Sequence, residues 1–569
     1  MKKESKMFLK LSKISLFRRV REFVLVLAVL TVITLLYLPI SKGYFQHDEI
    51  FGVTRNMSLK GTGLYNLIKI AFTPYISHFV PLHQLMVQVY ISWFSFNYQY
   101  YTYASIVAHL LVVFLVYLLL SKLTKNKNYS LLGALLFGVN ASGHQATSWP
   151  LADINTHGAT IFGLASLIFL VSYINQESKR YYLLAMGCLF VSLLFKEITI
   201  GFFLFIPVMY FLYSKKKQNV KYVTGVAFAS LFTYLLLRVS MIFAPRSHPL
   251  DQVVTQSQSY LEIAINLLTF PIKILVQTLI PPRQLLVISR FLTGILPWEF
   301  TGSIGTTQFD LFVENITLFV LEIVIFILIC VFLFFAFKKN RNGIQTRVAF
   351  LGFAFVVINS FIYALSPYRS ASIPVIDSRN LYLPTFGSIV MLISLVQMFF
   401  NKNSQKYSYL LLFLPLLIVN IFWLNKEVVN ISDQGRIRKQ ILNKIKTGHP
   451  MIEDKTIFYT ESDKAFYGLS EEDTIFPFQI NFGFNLMTIY QTKKDYPYKL
   501  VDGKVFLRDI TDQGYLEIDG KGFGYYRDLE LLKKGLLENK LSKQNVIAYR
   551  YYSKTGEVID ITEEIRNKL

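Results

Sequence analysis

The stretch FVLVLAVLTVITLLYLPI (residues 23–40), followed by SKGYFQHDEIFGV (residues 41–53), sets the frame for the whole chain. The first part is an apolar run of the length that an α-helix needs to cross a bilayer. The second part places His47, Asp48 and Glu49 directly beyond that run. Because ionisable residues at the edge of a membrane are costly unless they are paired or hydrated, these three residues mark a candidate functional site.

Composition places the chain among membrane proteins with several spans. Of its 569 residues 53% are hydrophobic and 17% are charged, and the mean hydropathy is +0.41. The net charge of +22 comes from Lys and Arg that lie mostly in the amino-terminal tail and in short links between apolar runs, where they orient helices. We therefore expect the lipid bilayer as a partner, and no nucleic acid. Cys188 and Cys330 both lie in apolar runs, which predicts no disulfide framework.

The distribution of basic residues predicts the topology. The basic tail, residues 1–21, is expected to be cytoplasmic and to precede an uncleaved first helix, because no small-residue cleavage site follows the apolar run. Residues 58–72 and 81–96 are interpreted as helices at the outer interface. If residues 81–96 crossed instead, the basic link at residues 122–127 would lie outside, against the positive-inside rule.

The remaining apolar runs complete a predicted polytopic α-helical domain over residues 22–425, with about eleven spans. Successive connections between the spans are predicted to lie on alternate sides of the membrane. The predicted spans are residues 23–40, 102–123, 131–139, 156–173, 181–195, 198–213, 222–243, 312–337, 348–365, 385–400 and 409–424. A long outer loop, residues 245–311, is expected to hold an interfacial helix at 260–280, broken at Pro271 and ended by Pro281-Pro282.

Residues 426–569 have the composition of a soluble domain, which the topology places outside the cytoplasm. Strand-like segments at 456–459, 498–507 and 546–552 and a helix-like segment at 526–539 predict a small α/β or α+β domain. Because it contains no glycine-rich phosphate loop, CxxC pair or nucleophile elbow, a lid or recognition module is favoured over an independent enzyme.

The predicted outer loops share one face of the membrane and carry the acids, the histidines and several cations. Each residue also has a structural interpretation. Asp48 and Glu49 are suited to cap the helix that follows them, and Lys196 with Glu197 to form an interfacial anchor. His109 lies within a span, where a packing hydrogen bond is favoured over a ligand role. Arg238 is favoured as a phosphate-binding residue, because its guanidinium is always charged and binds phosphate through two hydrogen bonds.

Four short motifs occur in order along residues 20–400: Asp48-Glu49 after the first span, Pro81-Leu82 before a short helix, Leu194-Phe195-Lys196-Glu197, and the segment RNLYLP at residues 379–384. In these motifs the sequence resembles the GT-C superfamily of glycosyltransferases, which use polyprenyl-phosphate sugars. It looks most like the protein O-mannosyltransferase branch, which includes the transmembrane O-mannosyltransferases with TPR repeats. His109 and Arg238 fall where similar residues occur in that family.

The chain also departs from the family pattern. Val80 stands before Pro81 where the family has Arg, and the acid of the second outer loop corresponds either to Asp153 or to the position of Asn155. TPR repeats are absent from the sequence, and residues 426–569 take their place.

The resemblance implies an inverting transfer of a sugar from a polyprenyl-phosphate donor to an acceptor hydroxyl on a protein, a glycolipid or a cell-envelope polymer, at the outer face of the cell membrane. It implies Asp48 as general base, with Glu49 orienting either Asp48 or the acceptor. The other implied residues are Lys196, Arg238, Arg379 and Arg369 for the donor phosphate, and His47, His83, His144, Asp153 and Glu197 for substrate.

No cofactor is expected to be required, although His47, Asp48, Glu49 and Asp153 offer ligands for a divalent cation. Two other functions stay open: a flippase or transporter of lipid-linked sugars, and a non-catalytic assembly protein of envelope polymer synthesis whose working part is the carboxyl-terminal domain. A transporter would place its ionisable groups near the membrane midplane, whereas the predicted groups gather at one edge.

Overall fold

The computed structural model describes residues 2–46, 49–50, 52–53, 63–72, 78–151, 154–214, 217–243, 259–295, 308–341, 343–365, 374–400, 407, 409–464, 478, 482–490, 513–518 and 520–569. Four predicted site residues, His47, Asp48, Asp153 and Arg369, lie outside these ranges. Most of the described chain is helical, and a small sheet follows near the carboxyl end.

Within the described ranges, nine helices are long and apolar enough to cross a membrane, as expected for a polytopic helical protein. Eight of them coincide with predicted spans, and the ninth is Tyr260–Leu279. Three other predicted spans form shorter helices. The helices of the predicted membrane domain are Lys2–Tyr37, Leu64–Ala71, Pro81–Phe94, Tyr98–Thr124, Lys127–Gly138, Gln145–Ser148, Ile154–Gln176, Lys179–Phe195, Phe202–Tyr213, Val220–Phe243, Tyr260–Leu279, Pro282–Ile295, Gln308–Lys339, Ile344–Ala364, Ser378–Phe399 and Leu414–Gly448.

The helix Tyr260–Leu279 continues through Pro271, so the predicted break at that residue is wrong. Two of its side chains, about 16 Å apart along the helix, bind residues at the two ends of the connection between Ile344–Ala364 and Ser378–Phe399. Asn266 Nδ2 donates to the carbonyl of Ala364 at 3.4 Å, and Gln277 Nε2 donates to the carbonyl of Pro374 at 2.9 Å. Residues 364 and 374 lie in the same helix connection. The helix is therefore fixed to the end of Ile344–Ala364 and to the residues before Ser378–Phe399. It is also long and apolar enough to cross a membrane, so its interfacial position stays a prediction.

The two ends of the bundle differ in chemistry. At the basic end, which joins the links near residues 122–127, 176–180 and 214–221, Lys127 pairs with Glu22 and Tyr213 donates to the carbonyl of Lys122 at 3.0 Å. The opposite end holds the start of Tyr98–Thr124, the loop at residues 139–151 and residues 195–199. We call it the site end, because the described candidate residues gather there.

The last long helix, Leu414–Gly448, extends through the predicted domain boundary at residues 425 and 426. Its 35 residues span about 52 Å, which exceeds the roughly 30 Å of a bilayer's hydrocarbon core. Its second half still has a buried face, which includes Ser432, Gly435, Arg438, Ile441 and Ile445. This half packs on the site end and carries the small domain that follows.

The carboxyl-terminal domain is a five-stranded mixed sheet with the order β2-β3-β1-β4-β5. The strands are Thr456–Ser462 (β1), Gly514–Ile518 (β2), Lys521–Tyr526 (β3), Val546–Tyr552 (β4) and Glu557–Asp560 (β5), and the helices are Phe482–Ile489, Leu529–Glu538 and Thr562–Lys568. β1 pairs with β3 and β4 in parallel, and the two edge strands are antiparallel. The predicted strands at 456–459 and 546–552 and the helix at 526–539 are confirmed, while 498–507 lies outside the described ranges.

Alternate residues of the central strand face two different cores, as the period of a strand requires. Phe458 packs with Tyr490 and Phe523 and joins the core that continues into the helical bundle. Ile457 belongs to a separate core with Leu532 and other residues of the helices on the opposite face. The sheet is thus covered on both faces, and one face is docked on the end of Leu414–Gly448.

Candidate functional site

The loop at residues 139–151 is the centre of the site end. The side chain of Asn140 accepts hydrogen bonds from the backbone of Ser142 and Gly143, which fixes the turn, and its Nδ2 donates to the carbonyl of Thr278 at 3.0 Å. A Cβ at Gly143 would lie 3.1 Å from the Cα of Tyr382, so the loop lies close against the helix Ser378–Phe399. The loop is held by its own backbone and by two neighbouring helices.

Three further contacts connect this central loop to the elements that carry candidate residues. The backbone N–H of Gln145 donates to Ser378 Oγ at 3.1 Å, one residue before Arg379. Arg379 in turn lies over the ring of Trp149, 5.5 Å from its centroid. Ser105 Oγ, on the helix Tyr98–Thr124, donates to the loop at 3.0 Å. The position of Arg379 is therefore set by the central loop.

Glu49 is buried, with 1% of its surface exposed, and both carboxylate oxygens bind backbone groups. Oε2 accepts from the N–H of Gln46 at 3.0 Å, and Oε1 accepts from the N–H of Leu151 at 3.0 Å. The first contact, between residues three apart, is the one a capping box uses at a helix start. The capping interpretation therefore fits Glu49. This residue also joins the first loop, which follows the helical segment Leu38–Lys42, to the central loop.

Lys196 follows the helix Lys179–Phe195, and its Nζ donates to Thr156 Oγ1 at 2.7 Å. Thr156 lies in the first turn of Ile154–Gln176, three residues after Asp153 in the sequence. This hydrogen bond links the end of one helix to the start of the next. Among the predicted phosphate-binding residues, Lys196 is thus fixed beside the first turn of Ile154–Gln176.

Glu197 lies at the centre of a polar cluster and is buried. Its carboxylate is 3.1 Å from Nδ1 of His78, accepts from the backbone N–H of Phe79 at 3.1 Å, and lies 3.8 Å from Nη2 of Arg238. The side chain of Arg238 is 36% exposed. Glu197 therefore anchors the segment before Pro81-Leu82 and partly balances the charge of Arg238.

His83 is half-buried and His144 is buried, and both rings are held neutral. Burial of the ring, together with the positive charges of Lys196 and His78, lowers the pKa of His83 to about 3. Burial likewise lowers the pKa of His144 to about 3, with a smaller effect of Arg283, and its Nδ1 lies 3.2 Å from Ser148 Oγ. Within the described part of the chain, Nδ1 of His83 has no hydrogen-bond partner. Both rings can contact a substrate only as neutral groups.

His109 makes the packing contacts that the sequence favoured. One ring nitrogen is 2.7 Å from the hydroxyl of Tyr382 and the other is 3.0 Å from the carbonyl of Gly138. Tyr382 belongs to the segment RNLYLP, so this motif is fixed to the helix Tyr98–Thr124 through His109. Both nitrogens are engaged by the protein, which gives His109 a structural role.

The described residues contain no group of three or more His, Cys, Asp or Glu side chains arranged for a metal ion. Three of the four possible ligands predicted from the sequence, His47, Asp48 and Asp153, fall outside the described ranges. The fourth, Glu49, has each oxygen bound to a backbone N–H.

Sequence reasoning overlooked two residues of the site end, Thr156 and Arg438. The sequence offered one weak indication for Thr156: it is a hydroxyl residue three positions after the candidate acid Asp153. Arg438 is 2% exposed and lies on the second half of Leu414–Gly448, which was assigned to the soluble domain. A signal was present, because Ile431, Arg438, Ile441 and Ile445 share one helical face and would have marked Arg438 as buried.

The fold and site define a class: a helical protein with several helices suited to a membrane, an ionisable cluster at one end of the bundle and a small mixed-sheet domain. No protein-family model and no curated protein matches the chain.

Proposed function

We propose that the protein is an integral-membrane inverting glycosyltransferase of GT-C type, which moves a sugar from a polyprenyl-phosphate donor to an acceptor hydroxyl. In this proposal the amino terminus is cytoplasmic, and the site end and the carboxyl-terminal domain face the outside of the cell membrane. The excess of Lys and Arg at the basic end supports that orientation, since positive residues favour the cytoplasmic side.

The observation that carries the proposal is a pair of links at the site end. The central loop binds Glu49 through the N–H of Leu151, and a few residues later Thr156 binds Nζ of Lys196. The residue before Glu49 in the sequence is Asp48, so the neighbour of the proposed base and the proposed phosphate-binding cation both bind to one short stretch of chain, at residues 151 and 156. A displacement reaction requires a base for the acceptor and a cation for the leaving group.

In the proposed reaction Asp48 removes the proton of the acceptor hydroxyl, whose oxygen attacks the anomeric carbon. A new carbon–oxygen bond forms as the bond to the phosphate oxygen breaks, so the configuration inverts and the polyprenyl phosphate leaves. Lys196 stabilises the leaving phosphate, with Arg379 and Arg238 as additional cations and Arg369 as a sequence-based candidate. Glu49 anchors the loop, and the neutral rings of His83 and His144 are suited to sugar or acceptor hydroxyls.

A divalent cation is left as an alternative route to stabilising the phosphate, through His47, Asp48 and Asp153. Removal of metal with a chelator tests it directly. Transfer that survives chelation supports a mechanism that relies on Lys196 and the arginines, and transfer restored only by added cation supports the alternative.

A second candidate function, transport of the lipid-linked sugar, is favoured by one observation. Glu322 on Gln308–Lys339 is 0% exposed and accepts from Gln277 Nε2 at 2.7 Å, and the nearby Lys273 is 3% exposed. The prediction that ionisable groups gather only at one edge overlooked Glu322. Ionisable groups inside a helical bundle are often part of transport pathways.

Purified protein in vesicles that contain a labelled polyprenyl-phosphate sugar separates the candidate functions. Consumption of the labelled donor with release of polyprenyl phosphate supports the glycosyltransferase. Movement of intact donor between leaflets, abolished by Glu322→Gln, supports the transporter. If the donor is neither consumed nor moved, the assembly protein is favoured and the proposal fails.

A further inference from the structure

A buried arginine, Arg438, lies where the second half of the last long helix meets the first loop. Its relative exposure is 2%, and it is among the largest fully buried side chains of the described residues. A buried guanidinium is stable only where acidic or polar groups compensate its charge. The position of Arg438 in the sequence, fourteen residues beyond the predicted last span, gives no membrane-anchoring reason for the charge.

The helix around Arg438 fits closely against residues 38–46. Ser432 Oγ donates to the carbonyl of Pro39 at 2.8 Å. A Cβ on Gly435 would lie 2.3 Å from the backbone nitrogen of Tyr44 and 2.9 Å from the carbonyl carbon of Gly43. Only glycine at residue 435 permits this approach of two backbones. Arg438 follows three residues later on the same helical face.

Tyr98, Glu49 and Tyr44 are among the groups that interact electrostatically with Arg438. Tyr44 and Phe45 stack edge to face, and Phe45 packs in the same way on Tyr98 and on a neighbouring tyrosine. Two contacts therefore hold the described residues 43–46 and 49–50: Gly43 and Tyr44 pack against the helix that carries Arg438, and Glu49 binds the central loop through Leu151.

We propose that Arg438 is a positioning residue, which holds residues 43–46 and 49–50 of the acidic loop (residues 43–50) in place by charge attraction to Glu49 and by the close packing of its helix through Gly435. The proposal rests on the proposed glycosyltransferase function only for its kinetic consequence. Its structural consequence, an ordered acidic loop, holds whatever reaction the protein performs.

The same helix carries the carboxyl-terminal domain, a few residues beyond Arg438. Tyr490 donates to the carbonyl of His449 at 2.8 Å, and His449 pairs with Asp560 at 3.2 Å. Ile441, Leu442 and Ile445 are buried between these contacts and Arg438. One continuous helix thus carries both the acidic loop's anchor and the docking site of the domain.

The first test is hydrogen exchange of the full-length protein in detergent, for wild type, Arg438→Met, Arg438→Lys and the control Arg436→Met. Arg436 lies on the same helix but is exposed and pairs with Asp433 on that helix, so its loss leaves the buried face intact. We expect faster exchange over residues 43–50 in Arg438→Met, partial protection in Arg438→Lys and no change in the control. Unchanged exchange over residues 43–50 in Arg438→Met would overturn the proposal.

The second test is kinetic. For Arg438→Met we expect kcat to fall by roughly 100-fold while the KM for the donor stays unchanged, because a misplaced base slows the chemical step and the phosphate site is intact. Gly435→Ala, which keeps the charge but separates the backbones, should act in the same direction, with Gly187→Ala in open space as its control. If kcat is unchanged, or if KM alone rises, the positioning role is wrong. A wild type without transfer contradicts the glycosyltransferase and leaves the exchange test to decide on Arg438.

Discussion

Glu49 Oε1 accepts a hydrogen bond from the backbone N–H of Leu151, 102 residues further along the chain, at 3.0 Å. Its other oxygen accepts from Gln46 at 3.0 Å. Through these two backbone hydrogen bonds the Glu49 carboxylate connects the acidic loop to the central loop. Glu49 therefore has a structural role in the acidic pair, and Asp48 is the residue to which we assign the proposed chemistry.

Glu49→Gln should lower stability. The amide has one accepting oxygen, so one of the two buried N–H groups loses its partner, which costs about 1–3 kcal/mol. We expect a lower apparent melting temperature in detergent. Asp433→Asn, at an exposed pair on Leu414–Gly448, is the control and should leave the melting temperature unchanged. Equal melting temperatures for Glu49→Gln and wild type would show that the Glu49 carboxylate contributes little.

Lys196→Met should lower kcat for transfer by roughly 100-fold or more, the usual cost of removing one charge-stabilising donor. Thr156→Val should have a smaller effect in the same direction, because it keeps the charge and removes only the hydrogen bond that fixes it. Lys179→Met, at the exposed other end of the same helix, is the control. Full activity of Lys196→Met in single-turnover assays would remove Lys196 from the phosphate site.

Acid should destabilise the protein through His83. Its folded pKa of about 3 lies below the ordinary value, so the unfolded chain binds the proton first as the pH falls. The stabilising effect is complete above about pH 6.5 and is lost progressively towards pH 3. Between pH 7.5 and 5.5, wild type should lose about 1.4 kcal/mol more stability than His83→Gln. Parallel pH dependences of the melting temperatures would contradict a His83 ring that the fold holds neutral.

Two truncated chains test whether the second half of Leu414–Gly448 is needed for transfer. A chain of residues 1–425, cut at the boundary predicted from composition, loses Gly435 and Arg438, whereas a chain of residues 1–450 keeps the whole helix. We expect the longer chain to transfer sugar to a simple hydroxyl acceptor and the shorter chain to be inactive. Assays on protein that elutes as a single species by gel filtration exclude unfolding as the cause. Loss of transfer in both chains would assign the domain a direct part in the reaction.

The helices were predictable because each apolar run is longer than a turn or strand can use, and the basic links separate them. The gathering of Lys196, Glu197 and Arg379 at one end followed from the same count of crossings. The unbroken helix at Pro271 was not predictable from a local rule, since its neighbours in the bundle support the helix there. The domain boundary predicted from composition, at residues 425 and 426, lies inside a helix. Beyond residue 425 the polar face of Leu414–Gly448 has the composition of a soluble domain, so composition alone does not show that the helix continues.

The contacts that complete the site depend on tertiary structure. The links from Glu49 to Leu151 and from Lys196 to Thr156 join residues 102 and 40 positions apart, and no sequence period relates them. The capping interpretation of Glu49 was available from its spacing to Gln46. The approach of Leu414–Gly448 to Gly43 and Tyr44 depends on Gly435, and the sequence alone does not show that these two backbones meet.

The proposal that Asp48 is the general base is tested most directly by a single-turnover assay with a labelled donor. The assay measures release of polyprenyl phosphate by wild type, Asp48→Asn and Glu49→Gln. If Asp48 is the general base, Asp48→Asn keeps the wild-type melting temperature and donor affinity but loses transfer, whereas Glu49→Gln loses stability and retains measurable transfer. Wild-type transfer by Asp48→Asn would contradict the assignment of the base and the account of the site built on it.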